Sequence, residues 1–228
     1  MPTHLITGAT SGIGAALSGA LYDRGDRLVL LARDDDRAAQ LAARYPNATT
    51  LVGDLEHPES LAESVGEGMP ARLDSLLHVA GVVDLGPVAE LTPAVWRRTL
   101  AVNLEAPAEL TRLALPALRA ASGRVVFVNS GAGLAASPGW SAYAASKFGL
   151  RALADALRTE ERDSGVRVTS VYPGRTATPM QQRVHEQEGA EYTEADWIRP
   201  ESVVTAVLTA LDLPSDADLT DLRLRPGR

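Results

Sequence analysis

Apolar and polar positions alternate between two regimes along this chain. Short runs rich in aliphatic and β-branched residues predict strands: HLIT (4–7), RLVLLA (27–32), TTLVG (49–53), LDSLLHVA (73–80), RVVFVN (124–129), VRVTSVY (166–172) and DLRLR (221–225). Several are apolar without a break, the pattern of parallel strands covered on both faces. Between them the apolar residues recur at helical spacing. In 12–24, Ile13, Leu17, Ala20 and Leu21 share a face and Gly25 supplies a stop. Residues 93–120 predict one or two helices, and 143–162 another. Pro200 opens a last helix whose stripe is Val203, Val204, Val207, Leu208 and Leu211.

Strands alternating with helices predict an α/β fold with a parallel sheet, because a crossover helix must return the chain to the same edge. Right-handed crossovers then favour a Rossmann-like doubly wound sheet of about seven strands, with helices on both faces. No internal repeat or low-complexity linker interrupts the 228 residues, so one domain over 1–228 is expected. PSDAD (214–218) reads as a loop before the last strand. Hydrophobic residues make up 45% and charged residues 22%, enough for a normal core.

Charge and composition narrow the function. A net charge of −7 argues against a broad nucleic-acid-binding face, yet leaves room for a phosphate pocket built from backbone N–H groups. With no cysteine there is neither a disulfide framework nor a thiolate metal site. The four histidines, His4, His57, His78 and His185, lack metal-ligand spacing, so no metal is expected. His185 lies in a charged segment and reads as a surface residue. No apolar run reaches the length of a membrane span, and the N-terminus lacks the pattern of a signal peptide. A cytoplasmic protein with no membrane partner is expected.

TGATSGIG (7–14) follows the first strand and opens the first helix. Glycines at 8, 12 and 14 permit a sharp turn and close backbone approach to a pyrophosphate, which the helix start then meets with unpaired N–H groups. Gly8, Thr10, Ser11, Gly12, Ile13 and Gly14 are therefore candidate cofactor-binding residues. The second strand ends at Arg33, where an arginine suits a ribose 2′-phosphate; Asp34 beside it is the competing partner for a free 2′-hydroxyl. Arg33 favours NADP(H) over NAD(H). After the third strand, Asp54 is placed to accept from an adenine amino group and Leu55 to pack on the ring. Ala80 and Gly81 end the fourth strand with side chains small enough for backbone to pass close to a cofactor.

SAYAASKFGL (141–150) carries Tyr143 and Lys147 four residues apart, hence on one helix face. A nearby ammonium favours a phenolate, which brings a tyrosine toward use as an acid or base nearer neutral pH. Ser130 lies 13 residues upstream of Tyr143, just past a strand, where an open α/β sheet places its site. Its hydroxyl suits a substrate carbonyl or alcohol. Asn103, in LAVNL, is a candidate anchor for a water linking the lysine to solvent. A Ser-His-Asp hydrolase is disfavoured, since VNSGA lacks the G-x-S-x-G elbow.

Assembled, these residues resemble the short-chain dehydrogenase/reductase family in its simple single-domain form. The TGxxxGxG turn matches Thr7 to Gly14, and the Asn–Ser–Tyr–Lys tetrad falls on Asn103, Ser130, Tyr143 and Lys147. The resemblance implies that Tyr143 exchanges a proton with the substrate oxygen while Lys147 binds the nicotinamide ribose. Ser130 would position the carbonyl and Asn103 a relay water. In YPGRTATPM (172–180), Pro173, Gly174, Thr176 and Thr178 would contact nicotinamide and diphosphate. Four positions depart from the family. His78-Val79-Ala80-Gly81 stands where Asn-Asn-Ala-Gly is common, which puts the strand end in question. Thr176 replaces a common valine, and Ser11 stands where NADPH-preferring members often carry a basic residue.

Residues 179–199 are expected to form a lid, with Trp140, Met180 and Trp197 as candidate substrate contacts. The expected substrate is a small or medium carbonyl compound or its alcohol. By resemblance, helices from 93–120 and 143–162 would pair copies into a homodimer or homotetramer. A non-catalytic NADP(H)-sensing regulator is the alternative reading.

Overall fold

The computed structural model describes residues 1–227; Arg228, the last residue of the expected domain, lies outside them. Seven parallel strands form one sheet: β1 (Thr3–Thr7), β2 (Arg27–Ala32), β3 (Thr49–Val52), β4 (Ser75–His78), β5 (Arg124–Val128), β6 (Arg167–Pro173) and β7 (Asp221–Leu224). Their order is β3-β2-β1-β4-β5-β6-β7. The winding reverses between β1 and β4, which opens a crevice beyond the carboxyl ends of those strands.

The helices are α1 (Gly12–Asp23), α2 (Asp35–Arg44), α3 (Leu61–Val65), α4 (Pro93–Leu100), α5 (Ala106–Ala121), α6 (Ser141–Glu160), α7 (Pro179–Glu188) and α8 (Pro200–Asp212). Unbroken apolar strands serve two cores, because successive side chains point to opposite faces. Leu5, Leu76, Val125 and Phe127 meet Leu110 and Leu118 of α5 and Leu150 and Leu157 of α6. Ile6, Leu30, Leu77 and Val126 meet Leu17 and Leu21 of α1, Leu41 of α2, and Val203 and Val207 of α8.

Several elements differ from the sequence pattern, among them the short α3, where no helix is expected. α2 buries only Ala38 and Leu41, too thin a stripe to read; its start is fixed by Asp34, which accepts from the Arg37 N–H at 2.8 Å. β4 is shorter than 73–80, because the N–H groups of Val79 and Ala80 leave the ladder and donate to Thr7 Oγ1. Between α4 and α5, Ala101–Glu105 is π-helical, and the Ala106 N–H reaches back to the Ala101 carbonyl. Pro107 follows, with no N–H to offer the Asn103 carbonyl four residues before it. Among the described residues no helix is long and apolar enough to cross a membrane, and no cluster of His, Cys, Asp or Glu could hold a metal ion.

Candidate active site

The loops at the carboxyl ends of the strands enclose a cavity of about 960 Å³. One wall is the glycine-rich turn, where Gly8 and Gly12 hold left-handed backbone at φ of 75° and 53°. A Cβ on Gly8 would lie 2.8 Å from the Ala80 nitrogen, and one on Gly14 would lie 2.1 Å from the Gly8 carbonyl oxygen. Side chains are excluded so that Gly8 can lie directly on the backbone just after β4 and the start of α1 directly on the turn. Ser11, at the start of α1, makes no capping bond with its side chain. The first-turn N–H groups are left for a ligand at a helix end that favours anions. Thr10, Ser11, Gly12 and Ile13 line the cavity there. Such a cradle fits a dinucleotide phosphate.

At one end of the cavity stand Arg33, Arg37, Asp54 and Leu55. Asp34 is not part of the lining. Its carboxylate caps α2 and takes the Arg33 Nε at 3.3 Å, and the Arg37 N–H, with Arg33 beside it, holds its carboxyl below the usual range. Asp54 accepts from the Glu56 N–H at 2.9 Å. Arg98, also on the wall, ties Glu56 (2.8 Å) to Asp84 (3.0 Å) and so links the loops after β3 and β4.

At the other end are Ser130, Tyr143 and Lys147, with Ala80 and Gly81 between them and the turn. Lys147 is the only lysine in the chain. It is 3% exposed, donates to the Val128 carbonyl at 3.2 Å, and has Nζ 5.7 Å from the centre of the Tyr143 ring. A Cβ on Gly81 would lie 3.2 Å from Asn103 Oδ1 and 3.7 Å from Lys147 Nζ, so this glycine leaves room for both. Asn103 itself is buried behind the lining. Its amide donates to the Val82 carbonyl (2.9 Å) and Ser146 Oγ (3.0 Å), and its Oδ1 accepts from the Val82 N–H (2.8 Å). The Asn103 side chain thus fastens the loop after β4 to α6. Ser130 Oγ accepts from the Ala132 N–H at 3.1 Å and lines the cavity.

The electrostatics correct one expectation. Burial pushes the Tyr143 phenol up rather than down, with the Ser130 hydroxyl opposing, and burial brings Lys147 down to about 8. Val83, Val184, Met180 and Trp140 surround the phenol with apolar groups, which disfavours the charged phenolate.

His78 settles the question of the strand end. Its ring stacks on Phe127 at 4.9 Å and an interplanar angle of 7°, and its Nε2 lies 2.9 Å from Thr111 Oγ1. Burial, and then the Lys147 charge, push it down to about 3, so it is neutral and joins β4 to α5 where the resembled family uses asparagine.

The loop after β6 brings Pro173, Gly174, Thr176 and Thr178 to the cavity. Thr178 Cγ2 would lie 3.1 Å from a Cβ on Gly12, which closes the loop over the glycine turn. Met180 and Trp140 line the cavity; Trp197 does not. Its ring instead sits 5.1 Å from that of His185 and 5.4 Å from the Arg175 guanidinium. His185 is 3% exposed, not a surface residue, because α7 turns Gln181, Val184 and His185 inward together. The sequence reading also missed Arg37, Arg98, Arg175, Arg183 and Glu188 on the wall. Only Arg37 left a signal: Asp34 capping a helix three residues before it.

The short chain dehydrogenase family model matches residues 2–189. Oxidoreductase UcpA of Escherichia coli (strain K12) is 31% identical over 223 residues, covering 95% of this chain and 82% of the relative. Dehydrogenase/reductase SDR family member 7B of Bos taurus is 32% identical over 225 residues, 91% of this chain and 69% of that one. Among solved structures, a short-chain dehydrogenase from Sphingobium yanoikuyae in complex with NADPH is 31% identical. It superimposes with a TM-score of 0.83 over 98% of this chain and 87% of its own.

Proposed function

Because the chain belongs to the short-chain dehydrogenase family, oxidoreductases acting on CH–OH and C=O groups, we propose that it interconverts a small or medium carbonyl compound and its alcohol using NADP(H). The observation that carries this reading is one continuous cavity bounded by the glycine turn at one wall and by Ser130, Tyr143 and Lys147 at another. Bound NADPH supplies the hydride. Gly8, Thr10, Ser11, Gly12, Ile13 and Gly14 would hold its diphosphate, with Asp54 and Leu55 at the adenine. Ala80, Gly81, Pro173, Gly174, Thr176 and Thr178 would frame the nicotinamide half.

Ser130 holds the substrate oxygen, and the Tyr143 hydroxyl gives or takes the proton at that oxygen. Lys147 holds the nicotinamide ribose and supplies the positive charge beside the phenol. Asn103 fixes the backbone at Val82, on which the floor beneath the substrate depends. The preference for NADP(H) is supported by Arg33 and Arg37 on the cavity wall, whereas Asp34 caps α2 and is absent from the lining. The NADPH complex of the Sphingobium relative agrees with it.

The test is to titrate the protein with NADPH and NADH and then follow NADPH absorbance at 340 nm across a panel of ketones and aldehydes. Tighter NADPH binding and turnover of at least one carbonyl are expected. Clearly tighter NADH binding would overturn the coenzyme assignment, and bound NADPH with no turnover would favour a sensor.

A further inference from the structure

We infer that the Arg175–Glu188 pair fixes the outer wall of the substrate pocket and limits the substrate to a compact, uncharged carbonyl compound with an apolar substituent. The inference rests on the carbonyl-reductase reading above and narrows it.

The inner wall is apolar. Val83, Tyr143 and Val184 form a buried cluster, with Ala132, Trp140 and Met180 packed against it. Trp140 stands edge-on to Tyr143, ring centres 5.7 Å apart at 67°, so the position of the indole sets the space beside the reacting phenol.

That indole is held from outside. Arg175 makes two parallel bonds to Glu188, 2.8 Å to Oε2 and 2.7 Å to Oε1. The same guanidinium lies 5.9 Å from the centre of the Trp140 ring and 5.4 Å from that of Trp197. Arg175 is anchored through its backbone, since its carbonyl accepts from the Ile198 N–H at 3.1 Å. Glu188 is the last residue of α7, an end that disfavours a carboxylate, so the arginine is what keeps it there. One residue earlier, Gln187 Oε1 accepts from the Leu85 N–H at 2.7 Å. The last turn of α7 is thus fastened on both sides of the mouth.

Charge follows the same logic. Arg175 lines the cavity but is neutralised by Glu188, so it offers no net charge to a substrate. Arg183, exposed on α7, also lines the cavity and has no carboxylate partner among the described residues. A substrate carboxylate at the inner wall would be buried among Val83, Met180 and Val184, where the one cation within reach, Lys147, is needed at the nicotinamide ribose, so its burial is costly. The pair itself is part-exposed, at 34% and 23%, so its removal should alter the pocket without unfolding the protein.

The experiment compares kcat/KM with NADPH for a compact neutral ketone, a ketone with a long branched substituent, and a 2-oxo acid of compact size. Wild type is measured beside Glu188→Ala, the milder Glu188→Gln, Arg175→Ala and the double exchange R175E/E188R. Each variant is checked by its thermal transition. Wild type should prefer the compact neutral ketone. Glu188→Ala and Arg175→Ala should raise the branched-to-compact ratio about tenfold, mainly through KM, the scale of a pocket gaining room for a methylene or more. Glu188→Gln should raise it less, and the double exchange, which sets a carboxylate in place of the guanidinium beside the Trp140 ring, should not restore it. An unchanged ratio in both alanine variants would overturn the inference and leave the carbonyl-reductase reading intact. A wild-type preference for the 2-oxo acid that is lost in Arg183→Gln would also overturn it. NADPH binding without reduction of any carbonyl would sink both.

Discussion

His78 and Lys147 show how much a single buried group governs at the site. The imidazole is pushed to about 3 by burial, against 6.5 when free, so between those values the unfolded chain takes up a proton that the folded one refuses. Stability must therefore fall as pH drops through 6.5. The loss is about 2 kcal/mol by pH 5 for a group shifted this far. His4, also lowered chiefly by burial, acts in the same direction. Urea midpoints at pH 7 and pH 5 test this: His78→Asn should flatten the difference, and an equal difference in the variant would contradict the account. Lys147, brought down to about 8, carries the same signature at higher pH, with stability rising from pH 8 toward 10.5 as the folded amine loses its proton first. As the chain has no other lysine, isotopic lysine labelling gives one side-chain NMR signal, and its titration midpoint should lie near 8. A midpoint above 10 would show that the amine is not desolvated. Replacement by Met should remove the buried charge and raise the melting temperature, by about 2–4 °C for each kcal/mol relieved, while abolishing turnover.

At the scale of elements, the tip of β2 and the start of α2 carry the residues on which the proposed coenzyme preference rests. The sequence left Arg33 and Asp34 as rivals, because a run of three aspartates hides which one is used. We propose that Arg33 wins: Asp34 is the N-cap, its Oδ1 accepting from the Arg37 N–H and its Oδ2 from Arg33, which turns the carboxylate toward α2. Arg33→Ala should therefore weaken NADPH by about 10–100-fold, the scale of a charge-assisted bond, with NADH nearly unaffected. Isothermal titration of both coenzymes checks it, and equal losses for the two would contradict it. α2 and α3 escaped sequence reading because each buries only two side chains. α7 was legible only as a charged lid, since its inward face is made of Gln181, Val184 and His185 and lacks an apolar stripe. The π-turn around Asn103 has a cause visible in the sequence, Pro107, but nothing local announces that the asparagine side chain will fasten Val82.

The whole molecule was the most legible level. Continuous apolar strands separated by helical segments dictate a parallel sheet with two covered faces, and the two cores divide strand residues alternately between them. The glycine turn, Ser130 and the Tyr143–Lys147 helix meet because all three sit at the carboxyl edge of that sheet. What the sequence could not convey is which side chains from distant loops close the cavity, such as Arg98, Arg175 and Glu188, because these meet only once the sheet is wound. We propose further that copies pair through α4, α5 and α6, where Phe148 is 42% exposed on α6. Light scattering should give a dimer or tetramer mass, and a clean monomer would refute this. The most direct test of the central claim is Tyr143→Phe, which removes one oxygen and leaves the ring. It should bind NADPH with nearly the wild-type Kd while kcat falls by about 10²–10⁴-fold, the usual worth of a positioned proton donor. Turnover retained with the phenol gone would contradict the account.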